Sequence, residues 1–233
     1  MILGFDTSGP WLSAALVERG GVLAHRTKTM TRGQAEALFP LLEELMAGEG
    51  VGWPDLAALA VGTGPGNFTG LRIAVASARG LALSLGVPAV GVSGFEAMTA
   101  APQFDDRPFA TDGGPGPHPH LVVSLPAPRG QAYVQRMRYG VPQGEPLLID
   151  PADPPETIRQ PLNMQVHGHR ADQIARPFTA GHETYEPQHM GVRVALVAHR
   201  RLASGEAPER PRPLYVRPPG AAPPKDRAPR IVP

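Results

Sequence analysis

Twelve residues, Gly62-Thr63-Gly64-Pro65-Gly66-Asn67-Phe68-Thr69-Gly70-Leu71-Arg72-Ile73, constrain the fold of this chain more than any other stretch. The apolar segment 56–61 ahead of them reads as a buried strand feeding a glycine-rich turn. Behind the turn, residues 69–85 read as a helix, with Gly86 at the left-handed stop and Pro88 just beyond. A glycine-rich turn that opens a helix aims free backbone N–H groups at one point and can hold an anion. The details of the known phosphate loops are missing, however. No Gly-Lys-Ser/Thr follows at Walker spacing, and the glycines at 62, 64, 66 and 70 do not match G-x-G-x-x-G. Gly64, Pro65, Gly66, Asn67 and Thr69 are therefore read as a structural loop.

The helix behind the loop carries a face of small side chains, Gly70, Ala74, Ser77, Ala78, Leu81 and Ala82, which lets another backbone approach closely. That backbone belongs either to the chain's own sheet or to a helix of a second chain. Before this unit, residues 1–6, 12–18 and 22–28 read as strands, the latter two joined at Arg19-Gly20-Gly21. Thr31-Arg32-Gly33-Gln34 fits a capping box. The helix it would open carries Leu38, Leu41, Leu42, Leu45 and Met46 at helical spacing and ends near Gly48, with Pro40 expected to kink it or displace its start. Residues 89–92 give another strand and 94–101 a short helix.

Beyond residue 100 the text loosens. Residues 101–120 are rich in proline, glycine and aspartate and read as a joint. Strands are expected at 120–125, 131–138 and 164–167, and a helix at 191–204. Residues 140–162 and 205–233 are proline-dense, with few strand or helix signals. No repeat is evident. Strands alternating with helices after an opening meander point to an α/β fold. A chain of 233 residues can bury one substantial core or two small ones. Its formal charge of +1 makes no overall case for nucleic acid, and the lack of cysteine excludes disulfides, thiolate zinc sites and cysteine nucleophiles. No secretory signal and no uninterrupted apolar run near the ~20 residues of a membrane span are visible, so a cytoplasmic protein with no membrane contact is expected.

The segment Gly64 to Ile73 resembles the GPGSFTGLRI signature of the TsaB (YeaZ) family, with Asn67 where serine is usual. The opening Ile2-Leu3-Gly4-Phe5-Asp6-Thr7-Ser8, followed by Leu12 to Leu16, is similar to that family's first strand and hairpin. Pro213-Leu214-Tyr215-Val216-Arg217 resembles its closing P-x-Y-L/V-R segment. The likeness is dense over residues 1 to about 100 and thin over 101–212. It implies an actin/Hsp70-like ATPase (ribonuclease H-like) fold of two lobes, the second reduced. Residues 1–104 would form the N-terminal lobe with the motif and partner-facing helices, 105–212 the reduced C-terminal lobe, and 213–233 a proline-rich basic tail. It further implies a scaffold or activating subunit without chemistry of its own. Such a subunit pairs with the catalytic paralogue TsaD and helps dock the ATPase TsaE, in the complex that transfers a threonylcarbamoyl group to the adenosine 3′ of the anticodon in tRNA. In that reading ATP is used by the partner ATPase and tRNA is met only through the complex. This chain needs no cofactor, binds nucleotide weakly or not at all, and has a homodimer as its alternative when alone.

The residues that could carry chemistry are few. Asp6-Thr7-Ser8 closes a strand where sugar kinases and Hsp70-like ATPases place an acid near a metal–nucleotide complex, so these three are the nucleotide-binding candidates. The competing reading is an aspartate that caps its own turn. His167-Gly168-His169 and His118-Pro119-His120 have strand spacing for a shared ion, but no third ligand recurs at fixed spacing. No metal site is assigned, and a metallopeptidase is rejected. Asp105-Asp106 and Glu43-Glu44 read as solvated carboxylates. Where the family commonly has D-A-R-x-G-E-V-Y, this chain reads Pro126-Ala127-Pro128-Arg129-Gly130-Gln131-Ala132-Tyr133, losing both acids. Gln34 stands where many TsaB-like sequences have histidine. The rival function, a free-standing small ATPase or phosphotransferase of the same fold, requires two or three convergent carboxylates, and only Asp6 stands at a suitable place. From Arg193 onward the chain is basic; residues 218–233 read as a solvated extension, with RNA phosphates as the alternative contact.

The resemblance also points to a partner face on the first two helices. Phe39, Leu42 and Met46 flank the Leu38/Leu41/Leu45 stripe, and Gly70, Ala74, Ser77 and Ala78 sit on the neighbouring helix. Together they are expected to form a four-helix contact with the same pair in a paralogue. Periodicity alone also allows both stripes to be internal core.

Overall fold

The computed structural model describes residues 1–99, 120–160, 163–184, 187 and 189–216. The chain opens with an antiparallel meander, β1 (Ile2–Asp6), β2 (Trp11–Glu18) and β3 (Gly21–Thr29). Helix α1 (Gln34–Gly48) leads to β4 (Ala58–Gly62), which pairs parallel with β1. Helix α2 (Phe68–Leu85) then leads to β5 (Ala89–Val92), parallel with β4, and a short α3 (Gly94–Thr99) follows. The strand order is β3-β2-β1-β4-β5.

The second sheet repeats this plan. Strands β6 (Leu121–Pro126), β7 (Ala132–Arg138) and β8 (Val141–Ile149) form an antiparallel meander. Strand β9 (Gln165–Gly168) pairs parallel with β6, and β10 (Gly181–Thr184) parallel with β9, giving the order β10-β9-β6-β7-β8. The two sheets thus have the same connectivity and strand directions, a repeat of topology that no repeat of sequence announces. The second copy is the smaller in its helices: α4 (Ala171–Ala175) has 5 residues where α2 has 18. This is the two-lobed α/β architecture of actin-like ATPases, as expected.

β1 is buried along its whole length because both faces of the first sheet are covered, so its residues are apolar without alternation up to Asp6. On one face, Leu3, Phe5, Leu59 and Val61 pack with Leu38, Leu41 and Leu45 of α1 and with Ala74 and Ala78 of α2. On the other, Ile2, Ala58, Ala60 and Val90 pack with Val194, Val197 and Ala198 of helix α5 (Met190–Ala203), together with Val123 and Leu125 of the second sheet. The first lobe is therefore completed by a helix from late in the chain, which chain order alone had placed in the second lobe. A Cβ on Gly191 would lie 2.7 Å from backbone atoms of Ser13 and Ala14, and one on Gly4 2.6 Å from the Ala195 Cβ, so helix and sheet touch backbone to backbone. Arg201 anchors the far end of α5, pairing with Glu96 and donating to the Gly91 carbonyl at 2.8 Å.

Two local expectations are corrected. Thr31 and Gln34 form no capping box: α1 is preceded by Gly33 in the left-handed region (φ 79°) with no side-chain cap. The Gln34 amide donates instead to the carbonyls of Gly9 (2.9 Å) and Trp11 (3.1 Å). Pro40 lies inside α1, which starts at Gln34. Residues 141–149 form an edge strand despite Pro142, Gly144 and Pro146, because an edge leaves one row of N–H positions without a ladder partner. Among the described residues α2 has the length and apolarity of a membrane span, yet its Gly70, Ala74 and Ala78 face lies against its own lobe.

Candidate functional site

The turn after β1 is closed by Asp6 itself. Its Oδ1 accepts from the Ser8 N–H (3.1 Å), the Ser8 hydroxyl (2.8 Å) and the Trp11 indole Nε1–H (2.6 Å). Its Oδ2 is buried with no hydrogen-bond partner among the described residues, and a Cβ on Gly62 would overlap it. Burial raises the Asp6 carboxyl above its ordinary value, against the lowering pull of the Trp11 and Ser8 hydrogen bonds. Thr7 donates its hydroxyl to the Gly70 carbonyl at 2.8 Å. All three nucleotide candidates are thus engaged within the chain, and the turn-cap reading describes the geometry of Asp6. Trp11 was not singled out from sequence; its place at the start of the strand after the turn is the signal that could have found it.

A raised carboxyl pKa has a defined sign. The folded state binds the proton more tightly than the unfolded one, so stability from this group falls as pH rises through the folded pKa. Asp6→Asn keeps an acceptor for Trp11 and Ser8 and removes the buried charge. Its stability relative to wild type is expected to rise between pH 4 and pH 7, measured by urea unfolding at each pH. A difference that does not change with pH would show that the carboxyl carries no such penalty.

The loop behind β4 is packed onto this turn. Asn67 donates its backbone N–H to the Ser8 carbonyl at 2.7 Å, and a Cβ on Gly66 would overlap the same carbonyl. Gly64 adopts φ 90°, and its carbonyl accepts from the Gly94 N–H at 2.7 Å. Asn67 caps α2 by accepting from the N–H groups of Thr69 (3.1 Å) and Gly70 (3.4 Å). Its amide also donates to Gln34 Oε1 at 3.3 Å. Two of the residues that depart from the family pattern, Asn67 and Gln34, are therefore bonded to one another. The tail joins the same knot: Leu214 N–H donates to the Thr63 carbonyl at 2.8 Å, and Tyr215 accepts at its hydroxyl from Arg72 Nε at 2.9 Å. The Arg72 guanidinium lies 3.7 Å from the centre of the Phe68 ring. All three segments that carry the resemblance meet here.

Between the lobes, beside this knot, opens a cleft of about 670 Å³. Trp11, Phe68, Tyr133 and Tyr215 line it, with prolines at 10, 65, 126, 128 and 187. None of the described residues that line it is an acid, a base or a histidine. Asp6 is not among them. Ser8 and Asn67 do line it, while Pro126 and Pro128 stand where the family's acidic segment would begin. The arrangement can hold an apolar or aromatic group; the described residues that line it include no carboxylate or histidine to place a metal or act as a base.

Among the described residues no three histidines, aspartates or glutamates gather as metal ligands. His167 lies 3.8 Å from Glu183 across β9 and β10. Asp105, Asp106 and His118, like Arg217 and the rest of the basic tail, lie outside the described residues. Glu43 is exposed, and Glu44 pairs with Lys28 at 3.5 Å.

The partner face is redistributed. Leu42 and Met46 are buried in the core between α1 and the sheet, and Gly70, Ala74 and Ala78 face inward on α2. A small-residue stripe serves close packing on its own sheet here, so those five residues offer no surface to a second chain. Phe39 (41 % exposed) and the half-buried Ser77 remain accessible. The outward face of α2 is a different stripe, Ile73, Ala76, Ser77, Gly80 and Leu83, at helical spacing, with Leu83 86 % exposed.

The family model for TsaD, tRNA N6-adenosine threonylcarbamoyltransferase, matches residues 17–175. The tRNA threonylcarbamoyladenosine biosynthesis protein TsaB of Escherichia coli is 38 % identical over 147 residues, covering 62 % of this chain and 59 % of that protein. The chain belongs to the TsaB/YeaZ family. The Haemophilus influenzae TsaB is 36 % identical over 100 residues, or 43 % of this chain and 42 % of that protein, so the matches span about half the length of these curated relatives. Among solved structures, YeaZ from Pseudomonas aeruginosa has a TM-score of 0.67 at 22 % identity, covering 92 % of this chain and 99 % of that one. Component A of the (R)-2-hydroxyglutaryl-CoA dehydratase of Acidaminococcus fermentans has a TM-score of 0.52 at 9 % identity, covering 87 % and 98 %. These two likenesses are of fold. Within the TsaB/YeaZ family, then, this chain keeps the loop and turn while its interlobe cleft has an uncharged lining among the described residues.

Proposed function

We propose that this chain is a non-catalytic subunit of the assembly that adds a threonylcarbamoyl group to the adenosine 3′ of the anticodon in tRNA. It pairs with a TsaD-like catalytic subunit, and the pair helps dock a TsaE-like ATPase, which uses the ATP. The chain meets tRNA through the assembly, in the cytoplasm. The observation that carries this reading is the interlobe cleft, whose described lining holds no charged side chain, beside an Asp6 locked into its own turn. Phosphoryl transfer needs carboxylates to place a metal and a group to orient the nucleophile. The E. coli and H. influenzae relatives are tRNA threonylcarbamoyladenosine biosynthesis proteins, which supports the tRNA pathway. The outward α2 stripe and Phe39 of α1 supply the small and apolar surface that the centre of a protein interface uses.

The test is light scattering behind size exclusion, on the chain alone and mixed with a TsaD-like protein of the same organism. A one-to-one species that displaces any self-dimer is expected. Failure to associate with TsaE-like protein and nucleotide also present, together with ATP hydrolysis by the isolated chain, would instead favour the free-standing ATPase or phosphotransferase.

A further inference from the structure

The described lining of the interlobe cleft is uncharged, but arginines stand at its rim on both sides. On the first-lobe side, Phe68 and Tyr215 line the cleft with ring centres 5.4 Å apart, tilted by 34°. Arg72 joins them. Its guanidinium lies 3.7 Å from the centre of the Phe68 ring, and its Nε donates to the Tyr215 hydroxyl at 2.9 Å. That bond uses one of the five N–H donors of the fork. On the second-lobe side, the turn after β6 lines the cleft with Pro126 and Pro128 and carries Arg129 next to them. Arg170 donates to the Gly130 carbonyl of the same turn at 3.1 Å. Arg72 and Arg129 are exposed and Arg170 is half-buried. Ion pairs among the described residues engage Lys28, Arg159, His167, Arg201 and Arg212, and none engages these three arginines. Rings inside and cations at the edge are what a single nucleic-acid strand meets: bases stack on aromatic faces while phosphates stay outside on positive charge. An acidic peptide answers only the rim. Four aromatic rings favour a ligand that brings a flat face with each anion, as a nucleotide unit does.

We propose that the interlobe cleft takes an unpaired stretch of RNA, with bases stacked on Trp11, Tyr133 and Tyr215 and phosphates on Arg72, Arg129 and Arg170. Unpaired RNA offers the base faces that a duplex keeps stacked. The choice of RNA rests on the tRNA role proposed above, to which it adds a direct contact of this chain.

The test is fluorescence anisotropy of the full-length chain, without partners, on a labelled RNA hairpin with a single-stranded loop and on a blunt duplex of the same stem, over a range of salt. The hairpin is expected to bind at least about 10-fold more tightly than the duplex. Arg129→Gln should lower the slope of log K against log salt by about 0.7, the share of one phosphate on a single strand. Tyr133→Leu should weaken binding about 10-fold and leave the slope unchanged, because stacking releases no counterion. Trp11 lines the cleft and Trp53 does not, so the hairpin should shift the Trp11 indole N–H signal and leave that of Trp53. No binding, equal affinity for hairpin and duplex, or equal shifts of the two tryptophans would overturn the proposal. So would wild-type binding by both variants, which would place the RNA elsewhere on the chain. Tighter binding of a glutamate-rich peptide would overturn it too and give the cleft to a protein. A chain that pairs with a TsaD-like subunit but takes no RNA fails this inference alone, and one that takes RNA but does not pair fails the proposed function alone.

Discussion

Ala74→Arg is expected to unfold this protein, whereas Ala76→Arg two residues away leaves it folded and unable to pair. Ala74 is fully buried between α2 and the first sheet, so an arginine there buries an unpaired charge in a packed core. The cost exceeds about 4 kcal/mol, the range of the most damaging single substitutions. Ala76 faces outward beside Ser77 and Gly80, and a surface change there alters stability by about 0.5 kcal/mol or less. If the outward stripe meets a TsaD-like subunit, a guanidinium at its centre should weaken that complex at least about 100-fold, close to 3 kcal/mol. Thermal unfolding and light scattering on the two variants check both halves. An Ala76→Arg protein that pairs like wild type would remove α2 from the interface, and a stable Ala74→Arg protein would contradict the inward face.

A second large effect is expected at the seam between α5 and the first sheet. Gly191→Ala places a methyl 2.7 Å from the Ala14 Cα and N and the Ser13 carbonyl carbon, all backbone atoms that cannot turn aside. The helix must shift, at a cost of about 2–3 kcal/mol. For a chain of this size that lowers the melting temperature by roughly 4–12 °C. Gly48→Ala is the control, since nothing lies within 4 Å of a Cβ there. Calorimetry on both decides it, and equal melting temperatures would mean that the seam has slack.

The first lobe was legible in the sequence because its strands and helices carry strong local signals. Gly86 stops α2 in the left-handed region at φ 68°, as its position after the last apolar turn implied. What periodicity could not supply was direction. Gly70, Ala74 and Ala78 form a stripe that suits a foreign helix or a native sheet equally well, and only the placed sheet separates the two. Gln34 failed as a cap because the carbonyls of Gly9 and Trp11 lay within reach across the turn, a long-range fact. Asp6 as a turn cap was readable from the serine two residues on, but its third donor, Trp11, needed the hairpin to fold back. Strand β8 was hidden by its prolines, whose tolerance depends on being at an edge. The kinship of the two sheets was invisible for a similar reason: hydrogen-bond order is kept while side chains diverge.

The late arrival of α5 has a consequence for how the protein is made. Residues through Thr99 contain every strand of the first sheet, but the helix over its second face ends at Ala203, about 100 residues later. At ~5–20 residues per second, a ribosome emits the sheet roughly 5–20 s before its cover. During that interval the surface around Ile2, Gly4, Ala58 and Ala60 is wet and apolar on every nascent copy. The N-terminal lobe cannot finish folding first and wait for the rest. Its completion is a late event of translation, and a chain cut short before Met190 leaves that face bare.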